Sequence, residues 1–431
     1  LLKDRHFDIV ICDFNLGVGQ DGQQLLEEMR TTKAITHLTQ WVIVTAETSK
    51  DMVMGAVEFQ PDDYLAKPFA FDTFKLRLDK WVRRINDLAP FLTALDKEDS
   101  ATIVATAQSV IDHQPRYRAW ARRMLVSTWI ENNELDTAET YLNEILQKRQ
   151  QDWAMFELAR IQMRRGEFTK AALILQEVIS TNPNNVGAYD QLARCYFKLK
   201  QLDKAQHTLI RGIQISPRNL HRQRHLAEIS RELQDYPVAT KAFKEVLTLA
   251  TYSRHESPDH YINLAETLNT AARKGTEQDL KNPSQQALQT AQKMSQRYNE
   301  EMPLQLKSRM IQAESLDIQG LTSARDGELT KLHSMAMRHV DEIKPDLALA
   351  IAGTHYRFEK QHIGDEWVDA LRQHHANDND FQQKLLMSQS EPVSVRAKKR
   401  AAEHNGLGNQ AYKSGDFVAA LSHFSKALEF S

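Results

Sequence analysis

The sequence predicts an α/β segment built on a parallel sheet, followed by a longer all-α solenoid. Three observations carry this. Short apolar runs near the N-terminus each end on a polar residue: Phe7 to Asp13, Trp41 to Thr45, and Asp63 to Lys67. Farther on, Leu125, Leu158, Leu192 and Leu226 recur at intervals of 33, 34 and 34 residues, each followed by a smaller residue. Only 15 glycines and 12 prolines in 431 residues leave few interruptions, so long helical stretches follow.

The first run, Phe7-Asp8-Ile9-Val10-Ile11-Cys12-Asp13, is short, rich in β-branched residues and almost continuously apolar. A parallel strand covered on both faces reads this way. The loop after it, Phe14 to Gly22, holds three glycines that let the backbone bend around a small site. In an open parallel sheet, ligands sit outside the carboxyl ends of the strands, so Asp13, Thr45 and Lys67 are expected to converge there. A carboxylate can accept a phosphoryl group as a nucleophile when a cation and a hydroxyl hold the phosphoryl oxygens. Lys67 would pair with one oxygen and Thr45 would hydrogen-bond another. Helices are expected over about 23–30, from Ser49 to Phe59, and from Phe71 to Leu88, where Phe74, Leu78, Trp81, Val82 and Ile85 keep helical spacing.

These residues resemble the receiver domain of two-component response regulators, and Pro61-Asp62-Asp63-Tyr64-Leu65-Ala66-Lys67-Pro68-Phe69 lies close to that family's pattern. The resemblance implies a flavodoxin-like fold, a parallel sheet with helices on both faces. It makes Asp13 the phospho-acceptor, Thr45 the switch hydroxyl, Lys67 the lysine and Tyr64 the aromatic that turns inward on activation. It also implies Mg²⁺ in the complete receiver, held by Asp13 and the backbone carbonyl of Asn15, with the remaining acidic ligands absent from this chain. Leu16-Gly17 and Gln60-Pro61 depart from the family pattern, both in loops. The match covers roughly the first fifth of the chain, and the first strand, first helix and second strand would precede Leu1, so the chain reads as a fragment.

In the second part Ala138, Ala171, Ala205 and Ala239 keep the intervals of the leucines, with Leu135, Phe168, Leu202 and Tyr236 three positions before them. Pro183 and Pro217 stand in helix-ending positions. The physical content is a helix-turn-helix unit whose helices approach closely only where side chains are small, and which buries its apolar face only by stacking. This resembles the tetratricopeptide repeat. Its best copy runs from Asn405 to Ala420 and continues through Phe424 and Ala427. The expected organisation is a receiver lacking its first strands over 1–88 and a linking helical pair or half-repeat over 89–118, its first half lent by the receiver's last helix. Repeats follow over 119–300, the last with an insertion between Lys274 and Pro283. Divergent helical repeats and a linker at Ser388 to Pro392 fill 301–395, and a C-terminal repeat fills 396–431.

Lys and Arg total 55 against 57 acids, a net charge of −2, so no global field draws the chain to nucleic acid or a membrane. The basic clusters Arg218 to Arg224 and Arg396 to Arg400 read as solvated faces. No apolar run approaches the ~20 residues of a membrane helix. Cys12 and Cys195 read as buried thiols, which suits a reducing cytoplasm. Sixteen histidines, His355, His362, His374 and His375 among them, lack the paired spacing of a metal helix. Trp120, Trp129 and Trp153 read as core. Asn409 fits a clamp for a terminal carboxylate, but Asn405 stands where the clamp lysine would be.

The function expected is that of a cytoplasmic signalling adaptor of a phosphorelay. Asp13 would take a phosphoryl group from a sensor histidine kinase or phosphotransfer protein, and phosphorylation would change which protein ligand the repeats bind. No enzymatic output module is expected beyond the receiver's own phosphoryl transfer and hydrolysis. The alternative is a constitutive repeat scaffold with a degenerate, non-phosphorylated receiver. First-helix residues such as Tyr189, Gln191 and Arg194 would line the groove. The signal would pass along the helix from Phe71 to Leu88, across Ala89-Pro90, into the helical pattern at Ala101 to His113.

Overall fold

Three parallel strands, β1 (Ile9–Asp13), β2 (Gln40–Thr45) and β3 (Asp63–Ala66), lie side by side in that order. The computed structural model describes residues 5–17, 19–46, 58, 61–275, 282–375, 378–390 and 395–429. In register, Asp13 stands opposite Val44 and Thr45 opposite Ala66, so the polar strand ends fall on one edge of the sheet. β2 is buried along its whole length. On one face Cys12, Trp41 and Ile43 pack with Leu26 and Met29 of α1 (Gly22–Thr31). On the other, Val42, Val44 and Leu65 pack with Trp81, Phe74 and Leu78 of α2 (Phe71–Asp96). β1 departs from the expectation of cover on both faces, for Ile11 is 48% exposed. Side chains alternate along a strand, which puts Ile11 on the α2 side with Ile9, but it takes no part in the cluster that α2 covers.

Asp21 caps α1: its carboxylate accepts from the Gln23 and Gln24 amides while the Gln24 side chain accepts from the Asp21 amide. This reciprocal cap satisfies orphan amides of the first turn. The helix expected over Ser49 to Phe59 lies outside the described residues except for Glu58, which is helical.

α2 corrects the expected boundary at Leu88. It runs unbroken through Pro90 to Asp96. A proline inside a helix costs roughly 3 kcal/mol, but Leu88, Phe91, Leu92 and Leu95 are all buried around it. They pack with Ile103, Ala107, Val110 and Ile111 of α3 (Ser100–His113). The second half of α2 packs with α3 as a helical pair.

Four helical pairs follow in order: α4 (Arg118–Glu131) with α5 (Leu135–Lys148), α6 (Asp152–Arg164) with α7 (Phe168–Thr181), α8 (Val186–Lys198) with α9 (Leu202–Ile215), and α10 (Leu220–Glu232) with α11 (Tyr236–Ala250). The small residues do what the spacing predicts. Val126, Ala159, Ala193 and Ala227, like Ala138, Ala171, Ala205 and Ala239, have no measurable exposure. The turn inside each pair holds one left-handed residue, at Asn133, Gly166, Lys200 and Gln234. Only one of the four is glycine, although a side chain in that region costs roughly 1–2 kcal/mol. Gln234→Gly should therefore raise stability by roughly 0.5–1 kcal/mol, read as a higher urea midpoint; a lower midpoint would contradict it.

The chain divides into two units, residues 1–260 and 261–431. The division falls in the first turn of α12 (Pro258–Arg273). In the second unit Leu264, Ala265, Ala287, Ala291 and Met294 are buried on α12 and α13 (Pro283–Arg297). α14 (Met302–Ile318), α15 (Thr322–Arg338), α16 (Pro345–Arg357), α17 (Gln361–His374) and α18 (Asn379–Ser390) follow, with a core built on Leu329, Ile351, Trp367 and Leu371. The linker expected from Ser388 is helical through Ser390, and 391–394 lie outside the described residues. α19 (Val395–Lys413) and α20 (Phe417–Glu429) form the C-terminal pair, in which Gly408 lies against the ring of Phe424.

Candidate phosphoacceptor site and the contact beside it

Asp13 ends β1 with its side chain 42% exposed, open to a donor from solvent. Its Oδ2 lies 2.6 Å from Lys67 Nζ, and its Oδ1 accepts from the Asn15 amide at 3.2 Å. The lysine contact is the main reason that its carboxyl sits below the usual range, with the backbone donors adding to it. A carboxylate kept ionised and half open is the form that can attack phosphorus. Thr45 is buried at the adjoining strand end, and its carbonyl accepts the Lys67 amide at 2.7 Å. The three expected strand-end residues thus stand at neighbouring strand ends, with Lys67 touching Asp13 through its ammonium and Thr45 through its amide.

Gly22 is there for space. A β-carbon on it would collide with the Asp13 carbonyl oxygen and come within 3.2 Å of Cys12 Sγ. Gly22→Ala should force β1 and α1 apart and cost roughly 1–3 kcal/mol, seen as a lower melting temperature; an unchanged melting temperature would refute the contact.

Tyr64 is half buried, packs on the Cys12 and Trp41 cluster, and its hydroxyl accepts from Gln23 Nε2 at 2.9 Å. The ring is thus tied to α1. Asp63 beside it receives Arg77 of α2 at 2.8 Å and 2.9 Å and Trp81 Nε1 at 2.8 Å.

Among the described residues, those at the Asp13 edge do not by themselves fit Mg²⁺, which the receiver family generally binds. Such an ion takes about six oxygens in octahedral array. Asp13 offers one carboxylate, already shared by Lys67 and the Asn15 amide, and Asn15 adds a carbonyl.

The larger surprise is what the sheet edge touches. The basic cluster at 218–224, expected to be a solvated face, receives the α/β segment. The Arg218 guanidinium lies 5.5 Å from the Phe14 ring centroid and 3.2 Å from Asp21 Oδ2. Gln24 Nε2 donates to the Leu249 carbonyl at 3.0 Å, and Glu27 Oε1 lies 2.7 Å from His255 Nε2. Arg222 is 2% exposed and paired with Glu58. It also donates to both Asp190 oxygens, at 2.6 Å and 2.8 Å, and to the Ser216 carbonyl at 2.8 Å. Ser216 Oγ donates to Glu58 at 2.9 Å. The loop after Asp13, the helix after that loop and Glu58 are therefore all held by α10 and its flanks.

The groove residues fare unevenly. Tyr189 is 2% exposed and packs against the backbone opening left by Gly212, so it is core rather than lining. Gln191 is half-buried and Arg194 is exposed. Trp120 and Trp129 pack into the first cluster, Trp129 also into the next with Trp153, as core. Cys12 and Cys195 are free and buried, and burial raises both thiols to about 11.

The response regulator receiver domain family matches residues 1–79. A second family, described as anaphase-promoting complex, cyclosome, subunit 3, matches residues 131–212. The chain is 33% identical over 85 residues to chemotaxis protein CheY-3 of Vibrio cholerae serotype O1, covering 20% of this chain and 64% of that protein. It is 30% identical over 86 residues to chemotaxis protein CheY of Pseudomonas aeruginosa, covering 20% of this chain and 68% of that one. The chain thus spans about two thirds of the length of these curated relatives. Among solved structures, the C-terminal part of a TPR repeat-containing protein from Cytophaga hutchinsonii matches with TM-score 0.42 and 10% identity, covering 61% of this chain and 99% of that one. A tetratricopeptide repeat protein from Parabacteroides merdae matches with TM-score 0.31 and 11% identity, covering 71% and 98%.

Proposed function

Because the chain belongs, through residues 1–79, to the response regulator receiver family, we propose that it is a phosphorylation-controlled adaptor of a two-component phosphorelay. Asp13 accepts a phosphoryl group from a sensor histidine kinase or phosphotransfer protein, and the tetratricopeptide-type repeats carry the output by binding another protein. A receiver joined to repeats is not an enzymatic architecture. Among the described residues no helix is long and apolar enough to cross a membrane. A cytoplasmic site of action is part of the proposal.

The observation that carries this reading is the Asp13 to Lys67 contact on an open strand end, beside a loop gripped by the solenoid. Converting the Asp13 carboxylate to an acyl phosphate turns one carboxylate oxygen into the bridging oxygen to phosphorus and moves the negative charge, now larger, onto the phosphoryl oxygens. The Asn15 amide that now donates to Asp13 then changes partner, and Phe14 and Asp21 move with the loop. Their contacts with Arg218 weaken. This route runs through α1 and its loop, whereas the sequence pointed to α2. α1 also carries the partner of Tyr64, Gln23, next to Gln24, which reaches the solenoid. A change at Tyr64 reaches the dock within one residue.

The test is direct. The complete protein, incubated with a small phosphodonor and Mg²⁺, should gain one phosphoryl group by intact mass, and Asp13→Asn should gain none. Equal labelling of both would end the phospho-acceptor assignment and leave a constitutive scaffold. In the labelled protein, amide exchange of α1 should rise relative to Asp13→Asn.

A further inference from the structure

We infer that Glu27, His221 and His255 form a divalent transition-metal site of the Zn²⁺ type that clasps the receiver segment to the solenoid. The three come from separate elements: Glu27 from α1, His221 from the first turn of α10, and His255 from the segment between α11 and α12. Their candidate ligand atoms all lie within 4.8 Å of one another. Glu27 Oε1 and His255 Nε2 are 2.7 Å apart, and the two imidazole rings stand 5.1 Å apart at 83°. Ligands at about 2.0–2.1 Å from a tetrahedral ion lie roughly 3.3 Å apart. The carboxylate must therefore open slightly from His255 and His221 must swing in, which its exposed position allows.

The chemistry selects the ion. Two imidazoles and one carboxylate suit Zn²⁺, Cu²⁺ or Ni²⁺ rather than Mg²⁺ or Ca²⁺, which prefer an all-oxygen shell. The His255 segment is fixed from behind: its amide donates to Ser253 Oγ at 3.1 Å, and its carbonyl meets His260 Nε2 at 2.8 Å. A cavity of about 30 Å³, lined by Asp21, Gln24, Glu27, Arg218 and His255, adjoins the group and has room for one water as a fourth ligand. Arg218 and Arg224 oppose a cation, but Asp21 and Glu228 partner them at 3.2 Å and 3.7 Å.

The test titrates chelator-treated full chain with Zn²⁺ alone, followed by calorimetry and by the melting temperature. One ion per chain should bind and raise the melting temperature. His221→Ala, His255→Ala and Glu27→Gln should each weaken binding by roughly tenfold or more, since even losing an outer-shell partner costs that much. His362→Ala and His374→Ala should not. Co²⁺ should give the strong visible bands of a four-coordinate ion. Because His221 is exposed, His221→Ala keeps the fold and tests the site without a folding defect. Asp13→Asn should bind Zn²⁺ as wild type does, so the outcome stands apart from the phosphorylation reading. Absence of saturable one-to-one binding overturns the proposal, as does full affinity in Glu27→Gln.

Discussion

Replacing Arg222 by alanine should lower the stability of the first unit by about 3 kcal/mol, the loss expected when a buried charge pair is broken from one side. Arg222 is nearly inaccessible and holds two carboxylates from opposite directions, Asp190 within the solenoid and Glu58 from the receiver segment. Truncation leaves both without their cation. Asp190 is 32% exposed and regains water, while Glu58, at 13%, regains less. Arg222→Lys should recover little, because an ammonium cannot match the fork that spans both Asp190 oxygens. Glu58→Gln removes only the receiver's half and should free α1 with a smaller loss. Urea unfolding reads the stability and amide exchange of residues 22–31 reads the release. Unchanged exchange in Arg222→Ala would show that the segment is held by something else.

The second unit should lose stability in mild acid, by up to about 3 kcal/mol between pH 6.5 and pH 4. His355 has no exposed surface, and neither ring nitrogen has a hydrogen-bond partner. Burial, with His333 5.7 Å away, lowers its pKa to about 4. The unfolded chain protonates near 6.5, so between these values it binds more protons than the fold, and stability falls as pH falls. Above pH 6.5 both states hold a neutral ring and the penalty vanishes. His355→Leu should abolish most of this slope while keeping the packing. A slope unchanged in that variant would refute this assignment and place the acid sensitivity in other groups.

The strand-end residues and the repeat positions were legible because each is a local pattern with a fixed period. Asp13, Thr45 and Lys67 end three short apolar runs, and the buried alanines recur with the leucines. Pro90 misled because its local cost is plain in sequence, while the burial of Phe91, Leu92 and Leu95 that outweighs it depends on α3. Tyr189 misled for a related reason: its period places it on a first helix, but the space made by Gly212 draws it inward. The dock was hidden most completely. Arg218, Arg222 and His255 meet partners about 160 to 230 residues earlier in the chain, and no periodicity encodes such a pairing. The signal present was charge alone: a basic run at 218–224 and acids at Asp21, Glu27 and Glu58, on separate segments of a nearly neutral chain.

A stacked repeat array ordinarily behaves as a spring whose turns feel only their neighbours. Here α2 is at once the last helix of the receiver segment and the first helix of the stack, while the same segment is fastened again at α10. The stretch from α3 to α9 is therefore strung like a bow, with the receiver segment as the string fastened at both ends. Any ligand that winds or unwinds those turns strains the string, and any event that slips the string lets the bow relax along its whole length.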